Sequence, residues 1–419
     1  MTDQSLRKLE RLWRLTRSQE DLRTLSKAHA RDGNQAKAYL LLWDEGLNEE
    51  GEALAREIGA RLASSQREAL NLLSVGRAAV AKCGEDFWDW AYEVPPEGAW
   101  EGPPEPVLAL RLAKDGDQHL ERLGDLPCLR ELGFSSARIT DADLTHISPL
   151  HFLRALFLVG SSVSGDGLPS LGSLSQLEWL ELGESRVEDE GLSRLPELPA
   201  LRHLGLGSTR ITGESFSRMA ALPSLTDLDL ARSAVSDYGV RQLESLDRLT
   251  ELRLTDTAVG DEGVSFLAER FALRKLDLGG TRVSDNGVAH LAALASLREL
   301  ELYGTQISDN SLSHLARARS LQHLSLWKTA VTDRGLAHLS ALPSLETLLL
   351  RETQITSAGL AHLAGLPNLR QLDLGDTRVT EEGLTHLQGV ASLVHLNLGL
   401  TGIDRGRARE ILPGCDMLV

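Results

Sequence analysis

The chain has 419 residues, 42% of them hydrophobic but only 4% aromatic, so it can build a sizeable core and that core must be aliphatic. Its formal charge of −16 argues against general nucleic-acid binding and against docking on anionic lipid, both of which need cationic surface, and favours a protein partner with a basic surface. Three cysteines, Cys83, Cys128 and Cys415, are spaced too unevenly for a disulfide framework or a zinc pattern.

From the first residue, MTDQSLRKLERLW carries no apolar leader, and no later segment is apolar for long enough to span a membrane. There is no Asn-x-Ser/Thr acceptor, and Arg greatly outnumbers Lys, a bacterial signature. A cytoplasmic location is expected. Residues 1–94 read as a small helical domain or cap. Leu6, Leu9, Leu12 and Leu15 recur at helical spacing beside Trp13, and QAKAYLLLWDEGL, GEALAREIGARLA and REALNLLSVGRAAVA are three more helical stretches. Gly33, Gly46, Gly51 and Gly84 punctuate them. The run DFWDWAYEV then gathers Phe87, Trp88, Trp90 and Tyr92, either to cover the first coil of the downstream region or to offer a partner-binding face. Residues 95–106, PPEGAWEGPPEP, form an extended linker.

Residues 107–419 repeat. Starting at Leu273, apolar residues fall at Leu276, Leu278, Val283, Val288, Leu291 and Leu294, and the next start, Leu297, lies 24 residues on. The same start recurs from Leu129 to Leu393 without a change of interval, and Leu108, Leu110, Leu120, Leu123 and Leu126 form a degenerate unit ahead of it. In each unit the alternation of Leu276 and Leu278 predicts a short strand. Thr281, Thr or Ser in nearly every unit, supplies a small hydroxyl to satisfy backbone groups inside a turn. Ser284 predicts an N-cap, with Asp285 in the first turn of a short helix whose inner stripe is Val288, Leu291 and Leu294. One such unit buries too little to hold itself together, so each copy needs a matching neighbour on either side.

The frames Leu273-x-x-Leu276-x-Leu278 resemble the leucine-rich repeat superfamily. The halves VSDNGVAHL, VTDRGLAHL and VTEEGLTHL resemble its cysteine-containing and bacterial subclass, with Thr or Ser in place of Cys and slightly shorter units. The resemblance implies an α/β solenoid: a curved array with parallel strands on its concave side and short helices on its convex side, preceded here by the small all-α domain. It also implies a binding surface, usually for protein. At the C-terminal end, GIDRGRAREILPGCDMLV loses the helix pattern, with Arg407 where Gly is usual, and the chain stops at Met417, Leu418 and Val419, where the next strand would begin.

The residues facing outward from the strands are the expected binding surface. One column reads Gly279, Tyr303, Trp327, Arg351, Gly375, with Leu349 nearby. At a strand spacing of ~4.8 Å, Tyr303, Trp327 and Arg351 stack as neighbours, either filling the groove against each other or anchoring a partner. Phe157 and Trp179 form a second such pair. Acidic residues dominate the same face, among them Glu131, Glu181, Asp227, Asp229, Glu251, Asp277, Glu301 and Asp373, interrupted by Arg253, Lys275 and Arg351. This either steers a basic partner or is ordinary solvated surface. The column His290, His314, His338, His362, His386 reads as exposed convex residues copied by duplication, although neighbouring imidazoles can bind metal or sense pH. The column Asp237, Asp261, Asp285, Asp309, Asp333 reads as helix capping, which explains it without calcium.

No phosphate-binding loop, His-Glu-x-x-His or Gly-x-Ser-x-Gly motif is present, and no cofactor is expected. Cys83 and Cys415 lack the setting of a nucleophile. The sequence therefore reads as a non-enzymatic recognition scaffold. Two rivals are an adaptor or effector whose helical domain recruits a ligase component or signalling module, and a small-GTPase regulator, whose repeats are longer than these.

Overall fold

The computed structural model describes residues 19–31, 34, 36–38, 54, 58, 78–81, 92–93, 109–112, 119–134 and 138–418. Two compact units divide the chain, residues 1–186 with 194–201 and residues 187–193 with 202–419.

In the second unit the 24-residue period becomes geometry. Strands β7 (His203–Gly205), β8 (Asp227–Asp229), β9 (Glu251–Arg253), β10 (Lys275–Asp277), β11 (Glu299–Glu301), β12 (His323–Ser325), β13 (Thr347–Leu349), β14 (Gln371–Asp373), β15 (His395–Asn397) and β16 (Asp416–Leu418) are paired in sequence order. The pairing is parallel and keeps strict register, Leu276 against Leu300 and Leu300 against Leu324. All seven apolar positions read from the unit are buried: Leu273, Leu276, Leu278, Val283, Val288 and Leu291 at 0% exposure and Leu294 at 4%. Each such side chain contributes about 1.5–3 kcal/mol of transfer free energy. An isolated coil would lose much of it, because both of its flanks would then face water.

Each coil turns out of its strand through one residue in the left-handed region. Gly280 (φ 67) and Gly304 (φ 63) fill that place, but so do Lys328 (φ 56), Glu352 (φ 54) and Leu400 (φ 63). A side chain there costs roughly 1–2 kcal/mol. The geometry is kept because the same residue's N–H extends the ladder to the next coil, as from Gly280 to the Tyr303 carbonyl at 2.7 Å and from Lys328 to the Arg351 carbonyl at 2.9 Å. Beneath the turn, the Thr281 hydroxyl donates to the Leu278 carbonyl at 2.6 Å, with Thr257, Thr329 and Thr377 doing the same at 2.6 Å. The expected role of that hydroxyl is what the structure shows.

The aspartate column works differently from expectation. Asp285 opens the helix Asp285–Leu291, yet its carboxylate reaches into the following coil. It accepts the Ser308 N–H at 2.8 Å and the Ser308 hydroxyl at 2.6 Å. Asp261 holds Ser284 in this way, Asp309 holds Thr332 and Asp333 holds Thr356, while Asp237 accepts the N–H groups of Gly260 and Gly263. The column is a latch between coils, anchoring the residue that caps the next helix. It also explains the glycine two places after each aspartate. A Cβ at Gly287 would sit 2.4 Å from Asp261 Oδ1, and at Gly335 2.5 Å from Asp309 Oδ1. Where serine stands in that place, its hydroxyl joins the latch: Ser311 donates to Asp285, and Ser215 to Asp189 at 3.1 Å.

The end of the second unit corrects another expectation. Residues Arg405–Ile411 do form a helix, capped where Asp404 accepts the Arg407 N–H at 3.0 Å. Ala408 supplies its buried face. Residues Asp416–Leu418 then pair in parallel with β15.

The first unit contains the helix Gln19–Arg31, with Leu22, Leu25 and Ala28 buried and the Ser26 hydroxyl donating to the Ala38 carbonyl at 2.8 Å. Its strands β3 (Ala109–Leu112), β4 (Glu131–Phe134), β5 (Ala155–Phe157) and β6 (Trp179–Glu181) continue the parallel pattern. Ala78–Ala81, read from sequence as the end of a helical stretch, is strand β1 instead. It pairs antiparallel with β3, Ala78 against Leu112 and Ala81 against Ala109, and Tyr92–Glu93 (β2) pairs antiparallel with β1. A strand edge offers unpaired N–H and C=O groups, and satisfying them outweighs the helical preference of alanine. Of the aromatic run, Phe87, Trp88 and Trp90 lie outside the described residues, as do Leu6 to Leu15, Cys83 and the linker 95–106. Among the described residues, no helix is long and apolar enough to cross a membrane.

Candidate functional site

Because strand side chains alternate, the residues between and just after the buried leucines line the outward face of the strands. In the second unit Tyr303 and Trp327 stack there, ring centroids 5.4 Å apart and planes 29° from parallel. Their arrangement depends on the bare backbone at Gly279. A Cβ there would meet the Tyr303 ring at 2.2 Å, so the ring lies flat on the glycine. The phenol points back toward Thr255, and Trp327 covers the ring from the other side while staying 37% exposed. Its indole N–H donates to Glu352 Oε1 at 3.1 Å, and Arg351 Nε lies 3.6 Å from the same oxygen. Arg351 leans toward Gly375, its Cγ 3.5 Å from where a Cβ would stand. Leu349, two residues before Arg351, is half-buried on β13. The expected column is therefore real, but Glu352 is the group that joins Trp327 to Arg351.

The charges divide sharply along this face. The outward places of β8 to β11 hold six carboxylates and two cations. Arg253 is 3.4 Å from Asp229 and Lys275 is 2.8 Å from Glu299. Burial pushes the Asp277 carboxyl up, and the Glu301 charge adds to it, against the opposing hydrogen bonds from Gly279 and Thr255. Burial also raises the Tyr303 phenol, with the charges of Asp277, Asp256 and Glu301 behind it. Burial would raise Glu301 as well, but its hydrogen bond to His323 Nε2 at 2.6 Å, the imidazole's charge, Ser325 and Lys275 hold it below the usual range. Burial depresses Arg253, and the surrounding Asp227, Asp229 and Glu251 more than reverse this. A second imidazole, His203, meets Asp227 at 2.5 Å. The sequence reading missed both histidines and Glu352. Their signal is a spacing of 22, 24 or 25 residues, which places two side chains on adjoining coils.

In the first unit Trp179 is exposed (39%), its N–H donating to Glu181 at 3.1 Å. Phe157 is not available beside it. It is only 8% exposed and packs with Ala109 and Ala155, whose small side chains leave room for the ring. The expected pairing of an exposed Phe157 with Trp179 is therefore corrected: of the two, only Trp179 is exposed. On the helix side, His290, His338, His362 and His386 are exposed and His314 is half-buried. Among the described residues, no group of three or more His, Cys, Asp or Glu is placed to hold a metal ion. Cys128 is fully buried and its thiol is pushed up to about 12, which leaves it without thiolate character. Burial and the Asp416 charge raise Cys415 too.

Comparison with known proteins adds the ancestry. The family described as a leucine-rich repeat region matches residues 137–402. No curated protein matches the chain. Among solved structures, an internalin of Listeria monocytogenes is 23% identical, with a TM-score of 0.55 over 74% of this chain and 86% of its own. A leucine-rich repeat protein of Leptospira interrogans is 21% identical, with a TM-score of 0.50 over 75% of this chain and 90% of its own. At these identities the likeness speaks of fold. With register-locked 24-residue coils and a family match over more than half its length, the chain belongs to the leucine-rich repeat family, whose members are generally non-enzymatic scaffolds that bind protein.

Proposed function

We propose that this chain is a non-enzymatic recognition scaffold that binds a protein partner with a basic surface on the strand face of its second unit. The observation that carries the reading is the Tyr303–Trp327 stack. It is held open to solvent by Gly279 beneath and Glu352 beside it, and it borders six carboxylates. Aromatic side chains fixed in place lose little conformational freedom on binding and dominate interface energetics. The neighbouring negative field speeds encounter with a cationic surface and orients it. Register-locked coils add rigidity, so little ordering remains to be done at the moment of association. A cytoplasmic setting fits the free, buried Cys128 and Cys415.

The test is affinity capture from native lysate with wild type and with the Tyr303→Ala/Trp327→Ala double variant, followed by titration of the captured partner. Trp327→Ala is expected to weaken binding at least about tenfold, a typical anchor effect, with the circular dichroism spectrum unchanged. Equal affinity in wild type and variant removes this face as the binding site.

A further inference from the structure

The face of the second unit is acidic from β8 to β11, is interrupted at β12 and β13, and turns acidic again at Asp373 on β14. From β8 to β11 the outward places are acidic, and both cations among them are already engaged with carboxylates at 3.4 and 2.8 Å. On β12 and β13 the outward places are His323, Ser325, Thr347 and Leu349, with no carboxylate, and Trp327 lies just beyond β12. The exposed indole of Trp327 and the half-buried Leu349 thus adjoin an excess of four negative charges on the neighbouring strands.

Neighbouring strands are ~4.8 Å apart. The path from Trp327 and Leu349, between β12 and β13, to Asp277 on β10 is therefore ~12 Å, and to Asp227 and Asp229 on β8 it is ~22 Å. An extended chain advances ~3.3 Å per residue and points alternate side chains to one side. Four residues cover the first distance and six or seven the second. Only an even offset keeps the side chain on the same face, which selects four and six.

We infer that the partner presents an extended segment lying across the strands, with a large apolar side chain on Trp327 and Leu349 and lysine or arginine four and six residues away. This rests on the proposal that the strand face binds protein, and it adds the chemistry and spacing of the bound segment. The apolar residue covers the exposed indole. The first cation reaches Asp277 and Glu301, and the second reaches the carboxylates of β8. Asp277 is the sharpest reporter of this contact. It is half-buried beside another carboxylate, and its own oxygen is tied to the Gly279 N–H at 2.9 Å, so an incoming cation meets a carboxylate fixed in place.

The experiment selects displayed random heptapeptides on the full chain and then titrates the enriched sequences at fixed salt. Enrichment of an apolar residue with Lys or Arg four and six places away is expected. Binding of those peptides should weaken about fivefold or more in Asp277→Asn, which keeps the shape and an acceptor for Gly279 while removing one charge. Glu301→Gln serves the same purpose should the first variant unfold. Peptides that lose binding in Trp327→Ala but carry acidic residues, or show no preferred spacing, overturn the inference and leave the strand-face reading standing. Binding matched by free spermine, with no dependence on spacing, overturns it equally. If no enriched peptide responds to Trp327→Ala, both readings fail. If sedimentation shows the chain pairing with itself through Trp327, the occupant is a second copy and the inference is wrong.

Discussion

Asp277 and Asp285 belong to the same coil, eight residues apart, and their carboxyls move in opposite directions. Asp277, on the strand face, is pushed up by burial and by the neighbouring Glu301. Burial would push Asp285 up as well, but the hydroxyls of Ser308 and Ser311 and their backbone amides outweigh it and hold the carboxyl down. The difference separates two uses of one residue type. At the helix entrance every oxygen is met by donors from the next coil, so the negative charge stabilises the stack. On the strand face Asp277 sits beside Glu301, so its charge is carried at a cost, while the hydrogen bond from His323 holds Glu301 itself down.

The largest expected effect comes from crowding the latch. Gly287→Ala puts a methyl 2.4 Å from Asp261 Oδ1 and should destabilise the protein by about 2 kcal/mol in denaturant titration. Gly287→Ser should recover roughly half of that loss, since a hydroxyl in the same column donates to Asp285 in the coil that comes next. Equal losses in the two variants would mean that the clash, and not the latch, sets the cost.

Next in size is removal of the latch charge. Asp285→Asn is expected to lower stability by about 1–2 kcal/mol at neutral pH, in line with loss of charge-assisted hydrogen bonds. Its folded carboxyl lies below the ordinary value. Its contribution is therefore complete above the unfolded pKa and disappears as pH falls through the folded one, a window below about pH 4. Wild type and Asp285→Asn should thus converge in acid. Asp277→Asn should do the reverse. A raised carboxyl weakens the folded state as pH climbs past it, so this variant should be at least as stable as wild type at pH 7. Thermal melts from pH 3 to 7 that fail to separate the two variants would dissolve the comparison.

The smallest stability change is expected from Gly279→Ala, within about 1 kcal/mol, because the Tyr303 ring can swing away from the added methyl. The stack should nevertheless open. Near-ultraviolet circular dichroism and tryptophan emission should shift, and partner affinity should fall toward that of Trp327→Ala. An unchanged tryptophan signal would show that the ring does not depend on the glycine beneath it.

The strand face was legible in outline. Leu349, Asp277, Glu301, Lys275, Arg253 and Trp179 lie on outward places of strands, because alternation along a strand follows from position alone, and Tyr303, Trp327 and Arg351 stand one place past the last leucine of the repeat frame in their coils. What each side chain touches was not legible. Phe157 shares that alternation with Trp179 and is buried, since its exposure depends on the size of Ala109 and Ala155, one of them 48 residues away. Glu352 joins Trp327 to Arg351 from a turn, where strand alternation makes no prediction.

The 24-residue period by itself determined the phase of every coil: which leucines face inward, where the chain turns, and which hydroxyl sits beneath the turn. Those properties repeat locally and need only the spacing of side chains along a strand and a helix. Tertiary structure alone decided that Asp285 bonds Ser308 rather than its own helix, that Ala78–Ala81 pairs as a strand, and that Tyr303 lies down on Gly279. Each of these is a contact between segments more than 20 residues apart. Its outcome depends on which donors, edges and empty spaces the neighbouring coil presents at hydrogen-bonding or van der Waals distance, a quantity that no local pattern encodes.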